Sequence, residues 1–412
     1  LAPTLIVLAL LPATSAWAAG KEDPLFIFPD QAKYQKAVEE ALEKNQKPPP
    51  PPWLEAPCGL AVDATGRFYL SEYYRNDIKA YDVEPEGEDW KVGAFGQQPN
   101  LKIPNIDPLS GPCGLDFNSA DSLYVNNFHH NVLNLTSQSV LPLPAEDLAH
   151  QLPTGVAIDQ ASGRVYVVNR SYVSVFDQAG QPVMSGPEPM RIGVGTLGDG
   201  YGIAIGSDGR VYVADASTKT VKIYDPEADL VNPVGTVKGP GKGFTSLRDS
   251  AIAIDRGTGV LYVVDNLQPV FTEAPEAVID LFSPTKTFLG VLKYRVFDAL
   301  PPAVTVDNSA NPSQGRVYVA SGNTGHASVY AYAPGAQTVK SVPPAAAVET
   351  GNAATVETVN ATTSGAPLAP AGDPAAAAQA AAAVAASPRG GPGQGHRRHH
   401  RLKKRHIHEG RR

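Results

Sequence analysis

Cysteine is all but absent: Cys58 and Cys113 are the only two in 412 residues. No well-placed base accompanies either, which argues against a cysteine nucleophile. Long apolar runs are missing too. Thr4 to Leu11, TLIVLALL, falls short of a membrane span, and no later stretch is long enough to cross a bilayer. Basic residues are few outside the C-terminus: nine Lys or Arg and one acid lie from Arg389 onward, which leaves 25 bases against 40 acids in residues 1–388. So acidic a body is no partner for nucleic acid. Aromatic residues end at Tyr332. Everything beyond lacks the large apolar groups whose burial offsets ordering entropy, which predicts disorder in the C-terminal part.

The opening apolar run is followed by Ala16-Trp17-Ala18, the small-x-small form of a signal-peptidase site. Residues 1–19 read as a signal peptide cleaved near Ala18 or Ala19, giving a secreted, extracellular or cell-surface protein; an uncleaved anchor is the alternative. Residues 20–56 read as an N-terminal arm. Leu25 to Pro29 is a candidate strand, and whether it closes the ring by joining the last blade is left open by the sequence. Asp30 is a suitable N-cap for a helix from Gln31 to Lys44, where Tyr34, Ala37, Val38, Ala41 and Leu42 share one side. That side suits docking on the flank of the main domain or, alternatively, a partner. Pro48 to Pro52 form an extended spacer, because each ring fixes φ and disfavours helix in the residue before it. Residues 344–388 make an Ala/Pro/Thr-rich disordered linker. Residues 389–412 add five of the nine histidines to their nine bases, a charge suited to anionic cell-surface polymers, lipid headgroups or polyphosphate.

Between these ends one pattern recurs six times. Pro153 to Asp177, PTGVAIDQASGRVYVVNRSYVSVFD, shows it most plainly, and its tyrosine aligns with Tyr69, Tyr124, Tyr166, Tyr212, Tyr262 and Tyr318 at spacings of 55, 42, 46, 50 and 56 residues. A multi-strand repeat of roughly 40 to 50 residues is the signature of a propeller blade. The first run of each repeat, such as Gly59 to Val62 or Gly202 to Ile205, is small and apolar, as an innermost strand crowded against the axis must be. The second, such as Val165 to Val168, is β-branched and aromatic, as suits a strand sandwiched between blades. The third alternates, and weaker fourth runs follow at Trp90 to Phe95, Gln181 to Met184, Val234 to Val237, Thr287 to Leu292 and Thr338 to Val342. The expected fold is all-β: a six-bladed β-propeller of four-stranded blades over residues 57–343, with one short N-terminal helix and disordered tails. A radial repeat also explains how so long a chain avoids the usual limit on a single core.

The consensus P-x-G-[LIV]-A-[VI]-D, then G-R-[VF]-Y-[VL], an Asp or Asn, and [VI]-x-[VIA]-[FY]-D resembles the NHL repeat over roughly Pro57 to Pro334. The fifth and sixth copies depart from it, with Ala251 and Ala303 in place of the early glycine. Lactonases, strictosidine-synthase-like proteins and peptide-amidating lyases resemble this architecture. That likeness implies channel-facing carboxylates, Asn or His around a metal as one way such a chain could work.

Candidate functional residues lie where the copies face the channel. The inner strands begin at Cys58, Cys113, Thr154, Tyr201, Ser250 and Pro302, with Arg248 and Asp249 just before Ser250. Equivalent positions on neighbouring inner strands are close near the axis, so a Cys58–Cys113 disulfide is sensible in an oxidising compartment, with two buried thiols as the alternative. Three residues after each tyrosine stand Glu72, Asn127, Asn169, Asp215, Asp265 and Ser321, either a polar ring for a ligand or a set of turn caps. His129 and His130 break the pattern, but adjacent residues of a strand point to opposite faces. The leading expectation is a non-enzymatic, monomeric binding or scaffold module that presents Tyr201, Arg248, Asp249, Glu72, Asn127, His129 and Arg170 to a protein, peptide or glycan, with no cofactor. The alternative is a metal-dependent hydrolase or lyase holding Ca or Zn on Glu72, Asn127, His129, Asp215 and Asp265.

Overall fold

The computed structural model describes residues 24–49, 54, 56–86, 89–94, 109–128, 130–144, 153–267, 277–292, 303–321 and 327–335. The expected signal peptide, most of the proline spacer, Pro302, His129, the expected linker and the basic tail lie outside them. Six four-stranded antiparallel sheets make up the six blades of a propeller. Blade 1 runs Pro57–Val62, Phe68–Glu72, Asp77–Glu86 and Asp89–Ala94 from the axis outward. Blade 4 repeats the plan with Gly200–Ile205, Val211–Asp215, Thr220–Tyr224 and Gly235–Lys238. The six inner strands neighbour one another in a closed ring, the last of them, Ala303–Val306, meeting Pro57–Val62.

The recurring residues have local reasons. Aspartates closing the first run cap the hairpin that follows: Asp63 Oδ1 accepts from the amides of Thr65 and Arg67 at 2.8 and 3.1 Å, and Asp255 and Asp307 do likewise in blades 5 and 6. Tyr124, Tyr166, Tyr262 and Tyr318 are fully buried between blades. The early glycine admits the neighbouring backbone: a Cβ on Gly155 would lie 2.7 Å from the Tyr201 carbonyl oxygen, and one on Gly202 would overlap that of Ser250. Cys58 and Cys113 are joined as a disulfide across the inner strands of blades 1 and 2, with Cα atoms 4.6 Å apart.

Three expectations about the outer parts are corrected. In blade 3 the fourth strand is Arg191–Ile192, paired with Val173–Phe176, while Met184–Ser185 turns into a separate hairpin with Glu188–Pro189. In blade 6 the place beside Ser328–Tyr332 belongs to the N-terminal Phe26–Phe28, and Thr338 to Val342 lie outside the described residues. The helix Gln31–Glu43 is capped by Asp30, which accepts from the Lys33 amide at 3.0 Å, yet it buries none of its residues and leaves Leu42 61% exposed. The arm docks through its strand instead. A strand gains both backbone hydrogen bonds and aromatic contacts at an open sheet edge, which a weakly apolar helix does not.

Candidate functional site at the wide end of the channel

The two ends of the channel differ. At the end where the inner strands finish, Arg256 reaches across the axis: its Nη2 donates to the Ile158 carbonyl at 3.0 Å and its Nε to that of Ile205 at 3.5 Å. Asn308 accepts from the Arg256 amide at 2.8 Å, and Asp116 accepts from the Ile158 amide at 2.7 Å. Burial pushes the Asp116 carboxyl up and the Arg256 charge opposes that. Only about 80 Å³ of space remains there.

At the end where the inner strands begin, a half-enclosed cavity of about 290 Å³ opens. Its floor is made by the small and apolar inner-strand residues, and the Cys58–Cys113 disulfide lies in its wall. Turns after the second strands of blades 1 and 2 supply Tyr73, Tyr74 and Phe128, with Tyr73 set edge-on to both of the others. Thr154, Tyr201, Asp249 and Ser250 supply polar atoms on the side of blades 3 to 5.

The polar side is organised by Arg170. Its Nε donates to Asp199 at 2.8 Å and its Nη2 to the Tyr201 hydroxyl at 3.0 Å. Tyr201 is 3% exposed. Burial, joined by the charges of Asp249 and Asp199, pushes its hydroxyl pKa up against the opposing pull of Arg170 and Arg248. The phenol therefore stays protonated near neutrality, and with Arg170 donating to its oxygen it keeps its own hydrogen to donate. Asp249, on a left-handed backbone with φ of 53°, sets a carboxylate beside it. The hydroxyls of Thr154 and Ser250 donate to backbone carbonyls, at 2.9 Å to Gly200 and 2.7 Å to Val264. Ser250 Oγ also accepts from Asn266 Nδ2 at 3.5 Å, so both of these hydrogen bonds lie within its own blade.

The expected site residues thus separate into two groups. Tyr201 and Asp249 line the cavity, Arg170 bonds Tyr201, and Arg248 acts on Tyr201 through its charge. Glu72 and Asn127 do not line it. Glu72 is fully buried against Lys79, and Asn127 bonds the Ser110 amide and Asn131. Asp215 pairs with Lys222 at 2.6 Å and caps the Ser217 turn, and Asp265 accepts from the amides of Thr245 and Ser246. His129 lies outside the described residues. The expected channel metal set therefore does not fit: no described member lines the cavity, each is held within its own repeat, and among the described residues no three His, Cys, Asp or Glu side chains gather. Sequence reading missed Tyr73, Tyr74 and Asp199. The Tyr-Tyr pair directly after Glu72, where Asn169 of blade 3 is followed by Arg170, was the available signal.

No family model matches the sequence, and no curated protein matches it. Similarity is found among solved structures. A virginiamycin B lyase from Staphylococcus aureus is 11% identical, with 67% of this chain and 94% of that one covered and a TM-score of 0.43. A gluconolactonase from Xanthomonas campestris is 12% identical, with 68% and 86% covered and a TM-score of 0.44. The likeness extends to the propeller fold alone. These two structures are enzymes, and nothing in the comparisons supports the expectation of a non-enzymatic module presenting a face to a protein, peptide or glycan, which is therefore withdrawn. The cavity itself is a half-enclosed recess with largely apolar walls, not a broad polar rim.

Proposed function

We propose that the wide end of the channel is the active site of an enzyme of the hydrolase or lyase class acting on a small, largely apolar molecule. The observation that carries this reading is the meeting, in one recess of about 290 Å³, of aromatic walls with Asp249 and Tyr201, a tyrosine whose hydroxyl accepts from Arg170. Tyr73, Tyr74 and Phe128 exclude water and hold a flat or apolar substrate. Asp249 takes a proton from the attacking water or from substrate carbon, and Tyr201 donates a hydrogen bond to the oxygen on which charge develops. Arg170, anchored by Asp199, orients that hydroxyl and adds positive charge behind it. No step needs a metal held by the protein at this site. The NHL character of the blades, secretion, and attraction of the basic tail to anionic surfaces belong to the same proposal, supported by the repeat consensus, the Ala16-Trp17-Ala18 site and the charge of residues 389–412.

Turnover of a panel of aryl esters, lactones and lyase substrates by the full chain, with and without EDTA, tests the reading. Asp249→Asn and Tyr201→Phe are expected to lower kcat by about 10²-fold each, with the melting temperature little changed. Binding of panel members without any turnover, or turnover untouched by both variants, would sink it.

A further inference from the structure

The polar ring at the ends of the second strands carries a pattern that becomes visible only in register. In blade 1 Lys79, opposite Leu70, reaches Glu72. In blade 4 Lys222, opposite Val213, reaches Asp215. The same place holds Leu133 in blade 2, Ser174 in blade 3 and Tyr330 in blade 6. In blade 5 it holds Asp280, opposite Val263. The acid of that blade, Asp265, therefore meets a second acid where two other blades place a lysine.

Both aspartates are buried, Asp280 at 1% and Asp265 at 4% exposure. Asp265 accepts from the amides of Thr245 and Ser246. Among the described residues Oδ2 of Asp280 has no hydrogen-bond partner. Burial and then the charge of Asp265 push the Asp280 carboxyl up to about 7. Two buried carboxylates with an unmatched oxygen need a counter-charge, either a proton or a cation. The repeat favours the cation, since a positive group occupies this place in blades 1 and 4 and the shorter aspartate does not fill the length of a lysine.

We propose that blade 5 binds a divalent, oxygen-seeking cation of the calcium class between Asp265 and Asp280, where the ammonium groups of Lys79 and Lys222 sit in blades 1 and 4. The site is separate from the axial cavity, which neither residue lines. It does connect to that cavity. Asp265 holds the Thr245 and Ser246 amides, and Asn266 donates to the Arg248 carbonyl at 2.7 Å, so a cation here stiffens the turn that carries Arg248 and Asp249 to the rim.

The full chain, stripped with EDTA, is melted with and without calcium and magnesium and titrated by calorimetry. Calcium at a hundredfold excess over its dissociation constant is expected to raise the midpoint by about 5 °C. Asp280→Lys, which installs the residue of blades 1 and 4, should fold and ignore calcium. Asp280→Ser, carrying the residue of blade 3, keeps the test valid if the lysine variant does not fold, and should also lose the response. A wild-type midpoint unmoved by either metal overturns the proposal, as does a midpoint that rises with acid but not with metal, which would mark a shared proton. An unchanged calcium response in both variants overturns it as well, by placing the cation elsewhere.

Discussion

Phe28 lies against Tyr81 with ring centroids 4.7 Å apart, so the first strand of the chain touches the first blade while its backbone pairs with the last. Phe26 meanwhile packs edge-on against Tyr318 of blade 6, and Phe68 of blade 1 sits 5.4 Å from that same tyrosine. One short strand thereby ties the two ends of the ring, with apolar burial across the seam as the main attraction.

Phe28→Ala should accordingly cost about 2–3 kcal/mol, below the full range for a buried phenylalanine because this ring is half-covered. Ile27→Ala, at a residue 38% exposed, should change stability by no more than about 0.5 kcal/mol. Urea unfolding midpoints of the two variants check the difference. Equal effects would mean that the strand contributes through its backbone alone.

Reduction of Cys58–Cys113 removes a tie spanning 55 residues, and the Cys58→Ser, Cys113→Ser variant should lose about 2–4 kcal/mol. Peptide mapping without reductant should recover the two cysteines in one linked fragment. Free thiols in the purified protein would refute the link.

Asp215 makes blade 4 acid-sensitive. Burial alone would raise its pKa, but hydrogen bonds from Lys222, Ser217, the Asp199 amide and Thr218 outweigh that and hold it at about 2. A folded pKa below the unfolded value of about 3.9 means stability that is complete above that value and lost as pH falls toward 2. Lys222→Met strands the buried carboxylate and should cost about 3–5 kcal/mol at neutral pH. In that variant the acid limb that Asp215 contributes to a melting-temperature profile should flatten, because without Lys222 the folded pKa no longer lies as far below the unfolded one.

Gly202→Ala forces a methyl group into the Ser250 carbonyl and should destabilise by about 2–3 kcal/mol. Ala251→Gly, which restores the glycine common to other blades, should cost less than about 1 kcal/mol. Thermal melts of both variants measure how tightly blades 4 and 5 are wedged.

Removal of Arg389 to Arg412 should abolish retention on anionic vesicles at low salt without altering the melting temperature. Retention that survives the deletion, or that does not weaken with added salt, removes the tail from the account.

Much of this molecule was written in local, periodic features. Tyr69 through Tyr318, the small inner runs and the aspartate after four of the six state the number of blades, their register and the hairpin turns, because each depends only on neighbours a few residues away or on the next copy. Asp30 before Gln31 likewise marked the helix start. The places that matter for chemistry obey no such period. Arg170, Asp199, Tyr201 and Asp249 come from three successive repeats and meet only because the inner strands converge on one axis. Glu72, Asp215 and Asp265 looked like a single ring and are instead dispersed, because each is captured by groups of its own blade. Asp280 is unremarkable until strand pairing sets it in the position of Lys79 and Lys222. The closing of the ring by Phe26–Phe28 was a question the sequence could pose and not answer, since nothing near that strand names a partner some 300 residues away. Composition and repetition determined the blade; the circular packing of six such blades decided which side chains share a cavity, which acids lack a cation, and where the chain fastens to itself.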